Sequence, residues 1–118
     1  MPDYTRESAA EGVEKALTLL EGRWKLVILF HLFGGQVLRF SDLERAIPKV
    51  SQKMLIQQLR QLETDGIVRR TVHHQVPPKV EYSLTPFGDS LAPIIRAMAR
   101  WGESYATGTG KRISLVSK

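Results

Sequence analysis

The stretch Ser41-Asp42-Leu43-Glu44-Arg45-Ala46-Ile47-Pro48-Lys49-Val50-Ser51-Gln52-Lys53-Met54-Leu55-Ile56-Gln57-Gln58-Leu59-Arg60-Gln61-Leu62-Glu63-Thr64 decides the fold. Ser41 and Glu44 have the spacing of a capping box, in which hydroxyl and carboxylate satisfy exposed backbone donors reciprocally. The helix opened there is short, because Pro48 has no N–H and collides with the preceding turn. Pro48-Lys49-Val50 is left as a three-residue turn. Ser51 is a second N-cap, and a longer helix is expected from Gln52 to Thr64, with Gly66 as its stop. Two helices joined by so short a turn make a helix-turn-helix.

On a wheel with Leu55 at zero, Leu59 falls at about 40° and Leu62 at about −20°, which defines the core face of the second helix. Arg60, Lys53, Thr64 and Gln57 fall between about 140° and 200°, opposite that face. The outward stripe therefore carries two cations and an amide and no acid.

Working outward, residues 8–21 read as a first helix, with Ser8 as its cap and Val13, Ala16, Leu17 and Leu20 at helical spacing. Residues 23–33 read as a second helix, apolar over most of its circumference and hence buried on several sides. His31 within it is expected to be structural, held by a hydrogen bond. Gly34-Gly35 stops this helix, and Gln36 to Phe40 is a short extended piece. Beyond the quoted stretch, Ile67–His74 and Val80–Leu84 read as strands, the latter with period-2 alternation. Pro77-Pro78 confines their connection to a loop. Thr85-Pro86 opens a last helix carrying Phe87, Leu91, Ile94, Ile95, Met98, Trp101 and Tyr105. The expectation is a mainly α fold with a small β-hairpin wing, a winged helix-turn-helix. It forms a single domain over residues 1–118, with loose ends at 1–7 and 107–118.

Composition sets further bounds. The chain is 42% hydrophobic and 25% charged, which suits one globular domain with a real core. No apolar run approaches the roughly 18 residues of a membrane span. Met1-Pro2-Asp3-Tyr4 lacks the order of a signal peptide, and there is no cysteine; a cytoplasmic location is the expectation. Net charge is +5, unevenly spread: residues 1–22 carry −3 and residues 23–118 carry +8. Such a basic body attracts polyanions, nucleic acid above all.

The outward stripe of the second helix of the pair has the chemistry that double-stranded DNA requires. Arg60 suits guanine, Gln52 and Gln57 suit adenine, and Lys53 reaches guanine or phosphate. Ser51 and the free N–H groups behind it can hold a phosphate. On the hairpin, Arg69, Arg70, His73, His74 and Lys79 gather against one acid, Glu81, as a basic wing for flanking phosphates or a minor groove; Arg39 joins them as a flank. His73 and His74 are adjacent on a strand and point to opposite faces, which argues against a shared metal ion. No Gly-rich phosphate loop, metal-ligand spacing or activated nucleophile is present, so neither catalysis nor a cofactor is expected. The leading expectation is a sequence-specific regulator, with repression as the default sign. The alternatives are a non-specific architectural DNA binder and a protein-interaction winged helix. The first would rely on phosphate contacts; the second would present an apolar or acidic stripe.

Gly22-Arg23-Trp24-Lys25-Leu26, Arg39-Phe40-Ser41-Asp42-Leu43, Ile47-Pro48, Ser51-Gln52-Lys53-Met54-Leu55, Leu59-Arg60-Gln61-Leu62-Glu63, Asp65-Gly66-Ile67-Val68, Val76-Pro77-Pro78-Lys79-Val80-Glu81-Tyr82 and Leu84-Thr85-Pro86-Phe87-Gly88, in this order and spacing, resemble the HxlR family of bacterial transcriptional regulators, relatives of the MarR winged-helix proteins. The resemblance implies a homodimer on a roughly palindromic operator, a base-reading helix over Ser51–Glu63 and a wing over Arg69–Val80. It also implies dimer contacts through the first and last helices, here Val13, Leu17, Leu20, Ile94, Met98, Trp101 and Tyr105. Two-fold reading agrees with this, since it needs two recognition helices about 34 Å apart. Many family members carry a Cys-Pro pair before the first helix; the matching positions here are Glu11-Gly12, and a cysteine switch is excluded. Trp24, Phe30, Phe33, Phe87, Met98 and Trp101 are candidates for a small-effector cavity near the dimer interface, with a core role as the plainer reading.

Overall fold

A computed structural model describes residues 5–106. The helices are α1 (Arg6–Leu20), α2 (Lys25–Leu32), α3 (Phe40–Ala46), α4 (Gln52–Thr64), α5 (Pro86–Asp89) and α6 (Ala92–Ala106); the strands are β1 (Leu38–Arg39), β2 (Val68–His73) and β3 (Lys79–Leu84). The strands form one antiparallel sheet in the order β1-β3-β2. This is a winged helix-turn-helix: α3 and α4 are the helix pair, and β2–β3 is the wing.

The caps show where local chemistry sets the boundaries. Ser51 Oγ accepts the Met54 N–H at 3.1 Å and starts α4 as expected. Gly66, at φ 73°, takes the left-handed turn that ends it. Ser8 is not the cap of α1. Thr5 is, and Ser8 sits at the third helical position, returning the bond to the Thr5 N–H. The first turn of α1 thus already includes residues 6 and 7, assigned to a loose end from sequence; residues 1–4 and 107–118 of the expected ends lie outside the described residues. Ser41 and Glu44 do not form the capping box of α3. The helix begins two residues earlier, capped from Arg39, and Asp42 Oδ2 accepts the Arg39 N–H at 2.8 Å.

The expected last helix is two helices. Thr85 caps α5, accepting the Gly88 N–H at 3.1 Å, and donates its own hydroxyl proton to Gly66 O and Ile67 O. Pro93 then breaks continuity: it cannot donate to Asp89 O, four residues back, and its ring would strike that carbonyl. Gly88 lets α5 lie against the start of β2; a Cβ there would stand 2.2 Å from Ile67 O.

The core lies between α2, α3, α4 and the sheet. Ile28, Leu29 and Leu32 of α2 meet Leu43 of α3, Leu55, Leu59 and Leu62 of α4, and Ile67 and Val68, with Ala92 and Ile95 of α6 closing one side. The three leucines expected on the inner face of α4 are all buried. α1 is different, because none of its residues is buried.

Candidate nucleic-acid interface

With Leu55, Leu59 and Leu62 inward, Gln52, Lys53, Gln57 and Arg60 are exposed on the outer side of α4, together with Ser51 at its head. Gln52, Lys53, Ile56, Gln57, Arg60 and Gln61 line one shallow hollow on that surface. A second groove, of about 580 Å³, runs between α4 and the wing and is lined by Phe40, Gln52, Ile56, Leu59, Arg60, Glu63, Arg70, Val80 and Tyr82. Gln52, Arg60 and Arg70 are therefore brought together by the fold, although Arg70 lies on a different element.

The sheet register sorts the other basic residues. Residues paired across strands share a face, and successive residues alternate. Arg70↔Tyr82 and Val72↔Val80 lie on the α4 side. Arg69↔Ser83, Thr71↔Glu81 and His73↔Lys79 lie on the other, joined by Arg39 opposite Glu81. Arg69 there lines a hollow with Gly35, Gln36 and Asp89, away from α4. On that face Glu81 is the hub: its Oε1 is 2.6 Å from His73 Nε2 and its Oε2 is 3.3 Å from Lys79 Nζ. The hydrogen bond from His73, and then the Lys79 ammonium, hold the Glu81 carboxyl below its usual range. His73 and Lys79 are thus engaged in cis, whereas His74 is exposed just past the end of β2, and Val76 stands fully exposed at the wing tip.

Sequence reasoning missed two things here. Ile56 and Glu63 belong to the α4–wing groove, and their signal was available: Ile56 is four residues from both Gln52 and Arg60, hence on the same ridge. Gln58 and Lys25 are buried polar residues, with relative exposures of 6% and 4%. Gln58 was legible from position, since with Leu55, Leu59 and Leu62 it completes the i, i+3, i+4, i+7 inner face of α4, whereas nothing in the pattern marks Lys25.

The expected dimer residues are placed together in part. Val13, Leu17 and Leu20 of α1 and Ile94 and Met98 of α6 line one apolar groove of about 930 Å³, and all but Leu20 are exposed. Trp101 and Tyr105 stack on each other further along α6, with centroids 6.0 Å apart and planes 13° apart, and Trp101 is 70% exposed. The aromatic and Met residues considered for an effector do not converge. Phe33 is core, Trp24 packs against the core under Arg23, and Trp101 is stacked on Tyr105; Phe30 and Met98 share a small hollow between α2 and α6. His31 meets the Phe30 ring edge-to-face at 5.8 Å. Among the described residues no helix is long and apolar enough to cross a membrane.

Known proteins share this arrangement. The model of the HxlR-like helix-turn-helix family matches residues 19–109. The HTH-type transcriptional regulator YdeP of Bacillus subtilis (strain 168) is 50% identical over 105 residues, covering 87% of this chain and 80% of YdeP. YybR, an HTH-type transcriptional regulator of the same organism, is 52% identical over 92 residues, covering 78% of this chain and 73% of its own. The solved structure of the redox regulator HypR in its reduced form superposes with a TM-score of 0.77 at 48% identity, over 91% of this chain and 99% of HypR. By sequence and by fold, this chain belongs to the HxlR family of DNA-binding, winged helix-turn-helix transcriptional regulators.

Proposed function

We propose that the chain is a single-domain, homodimeric repressor in the cytoplasm that reads a palindromic operator through α4 of each protomer. The observation that carries this reading is the outer face of α4, where Gln52, Lys53, Gln57 and Arg60 stand exposed with no acid among them. In the proposed complex Gln52, Gln57 and Arg60 meet base edges, Lys53 meets guanine or phosphate, and Ser51 holds a phosphate at the helix start. Arg70 follows the groove from the wing, while Arg39, Arg69, His74, and His73 and Lys79 where Glu81 releases them, supply flanking phosphate contacts. The dimer is supported by α1, a fifteen-residue helix with nothing buried, and by the apolar groove it forms with α6. Val13, Leu17, Leu20, Ile94, Met98, Trp101 and Tyr105 are the residues assigned to it.

Selection of genomic fragments by the purified protein tests this. Enrichment of a two-fold motif with half-sites about one duplex turn apart is expected. Absence of any enriched sequence at moderate salt would refute sequence-specific reading. A reporter driven by the selected fragment then gives the sign, and lower expression in the presence of the protein is expected.

A further inference from the structure

Among the residues that line the outer hollow of α4, Ile56 is the one apolar side chain. It lines both the outer hollow of α4 and the groove toward the wing, and it is 37% exposed. Gln52, Ile56 and Arg60 form one ridge at i, i+4 and i+8, so each neighbour is about 6 Å along the helix from the next. An exposed β-branched residue gains nothing there for the helix, since its intrinsic propensity is below that of Lys, Gln or Glu. The fully buried side chains of the inner face are Leu55, Leu59 and Leu62, and Ile56 lies outside them, in the groove it shares with Phe40, Val80 and Tyr82.

We infer that Ile56 is a specificity-determining residue that recognises the C5-methyl group of a thymine in the major groove, an inference that rests on the reading of α4 as the base-contacting helix. The chemistry of its neighbours selects this ligand. Every A·T pair displays the adenine N6/N7 edge beside the thymine methyl, and an amide recognises the first while an aliphatic group recognises the second. Gln52 and Ile56, one turn apart on the same ridge, present that pair of functions, and Arg60 adds a guanine reader on the next turn. The ridge is therefore suited to a half-site in which an A/T step adjoins a G·C pair. The contact carries no charge and contributes nothing to counterion release.

The test uses the full chain and the operator obtained by fragment selection. Thymines in both half-sites are replaced one symmetric pair at a time by deoxyuridine, which deletes only the methyl group. Loss of one methyl contact weakens binding about fourfold per half-site. For the unaltered protein, one thymine position is expected to show this loss. Ile56→Ala is expected to bind the normal operator more weakly, to be insensitive to deoxyuridine at that position and to retain the same salt slope. Ile56→Val, which keeps the branched methyls, retains part of the sensitivity. Thermal melting of both variants checks that each is folded. If no thymine methyl matters, or if Ile56→Ala remains as sensitive as the unaltered protein, the assignment of Ile56 is wrong while α4 reading stands. If no operator is selected at all, the reading of α4 fails and Ile56 falls with it.

Discussion

Gln58 lies on the inner side of α4 and is 6% exposed, yet its amide is poorly served. Its Nε2 donates to Met54 Sδ at 3.4 Å, a weak acceptor, and its Oε1 has no hydrogen-bond partner among the described residues. The oxygen faces Gly22, where an added Cβ would stand 2.6 Å from it; Gly22, at φ 128°, is also in a region that L side chains rarely adopt. A buried acceptor left unpaired costs about 1–3 kcal/mol, and the weak Nε2 contact offsets only part of that. Leucine has similar volume and no polar atom to strand. Gln58→Leu should therefore stabilise the protein by about 1–2 kcal/mol, raising Tm by about 4–8 °C. Urea denaturation followed by far-UV circular dichroism, at one protein concentration for both proteins, measures this. Operator affinity should be unchanged, because Gln58 is on the side of α4 opposite Lys53 and Arg60. Equal or lower stability in the variant would refute the reasoning, since Oε1 would then be satisfied in solution.

Arg60→Ala should weaken binding to the selected operator by about 1–3 kcal/mol if Arg60 reads a base; equal weakening on unrelated duplexes would make it a phosphate contact. Trp101→Asp should yield monomers in sedimentation velocity, because it removes the exposed Trp101–Tyr105 stack and puts a carboxylate in its place; a persisting dimer would move the interface elsewhere. Glu81 is held below the usual carboxylate range by His73 and Lys79, so its folded value lies under its unfolded one. Its stabilising contribution is complete above the unfolded value and is lost as pH falls through the folded one. Glu81→Gln should flatten the acid limb of a stability–pH profile. The same change releases Lys79 and should steepen the salt dependence of DNA binding; an unaltered slope would count against Lys79 touching DNA.

The helix pair was legible because several local signals agreed there: a proline stop, a serine cap, a glycine end and three leucines at helical spacing, all of which hold in the fold. Where one residue offered two readings, tertiary geometry decided. Ser41 and Glu44 had capping-box spacing, but Asp42 reaches the Arg39 N–H from a helix that starts at Phe40. Pro93 was visible, yet the long apolar periodicity around it outweighed a break that its missing N–H makes necessary. The wing shows a different limit. Composition gathered Arg69, Arg70, His73, His74 and Lys79 into one basic group, whereas cross-strand register places Arg70 beside α4 and sets Arg69, His73 and Lys79 on the opposite face around Glu81.

This sorting bears on what each part of the surface can contribute to recognition. The residues on the α4 side, Gln52, Ile56, Arg60 and Arg70, are placed by the core itself: Leu55, Leu59 and Leu62 fix the rotation of α4, and Val68 fixes the start of the strand that carries Arg70. Their geometry is present before any partner arrives, which is the condition for reading bases with little ordering cost. α1 stands at the other extreme. Only Leu19 and Leu20 at its C-terminal end pack against the core, so the exposed apolar sides of Val13 and Leu17 gain their stabilisation only against a second surface. In the proposed dimer, then, specificity is built into each protomer while the spacing between its two copies depends on association. Apparent stability and operator affinity should consequently rise together with protein concentration, and a variant that weakens the α1–α6 groove should lose palindrome recognition while each α4 keeps its preference for a half-site.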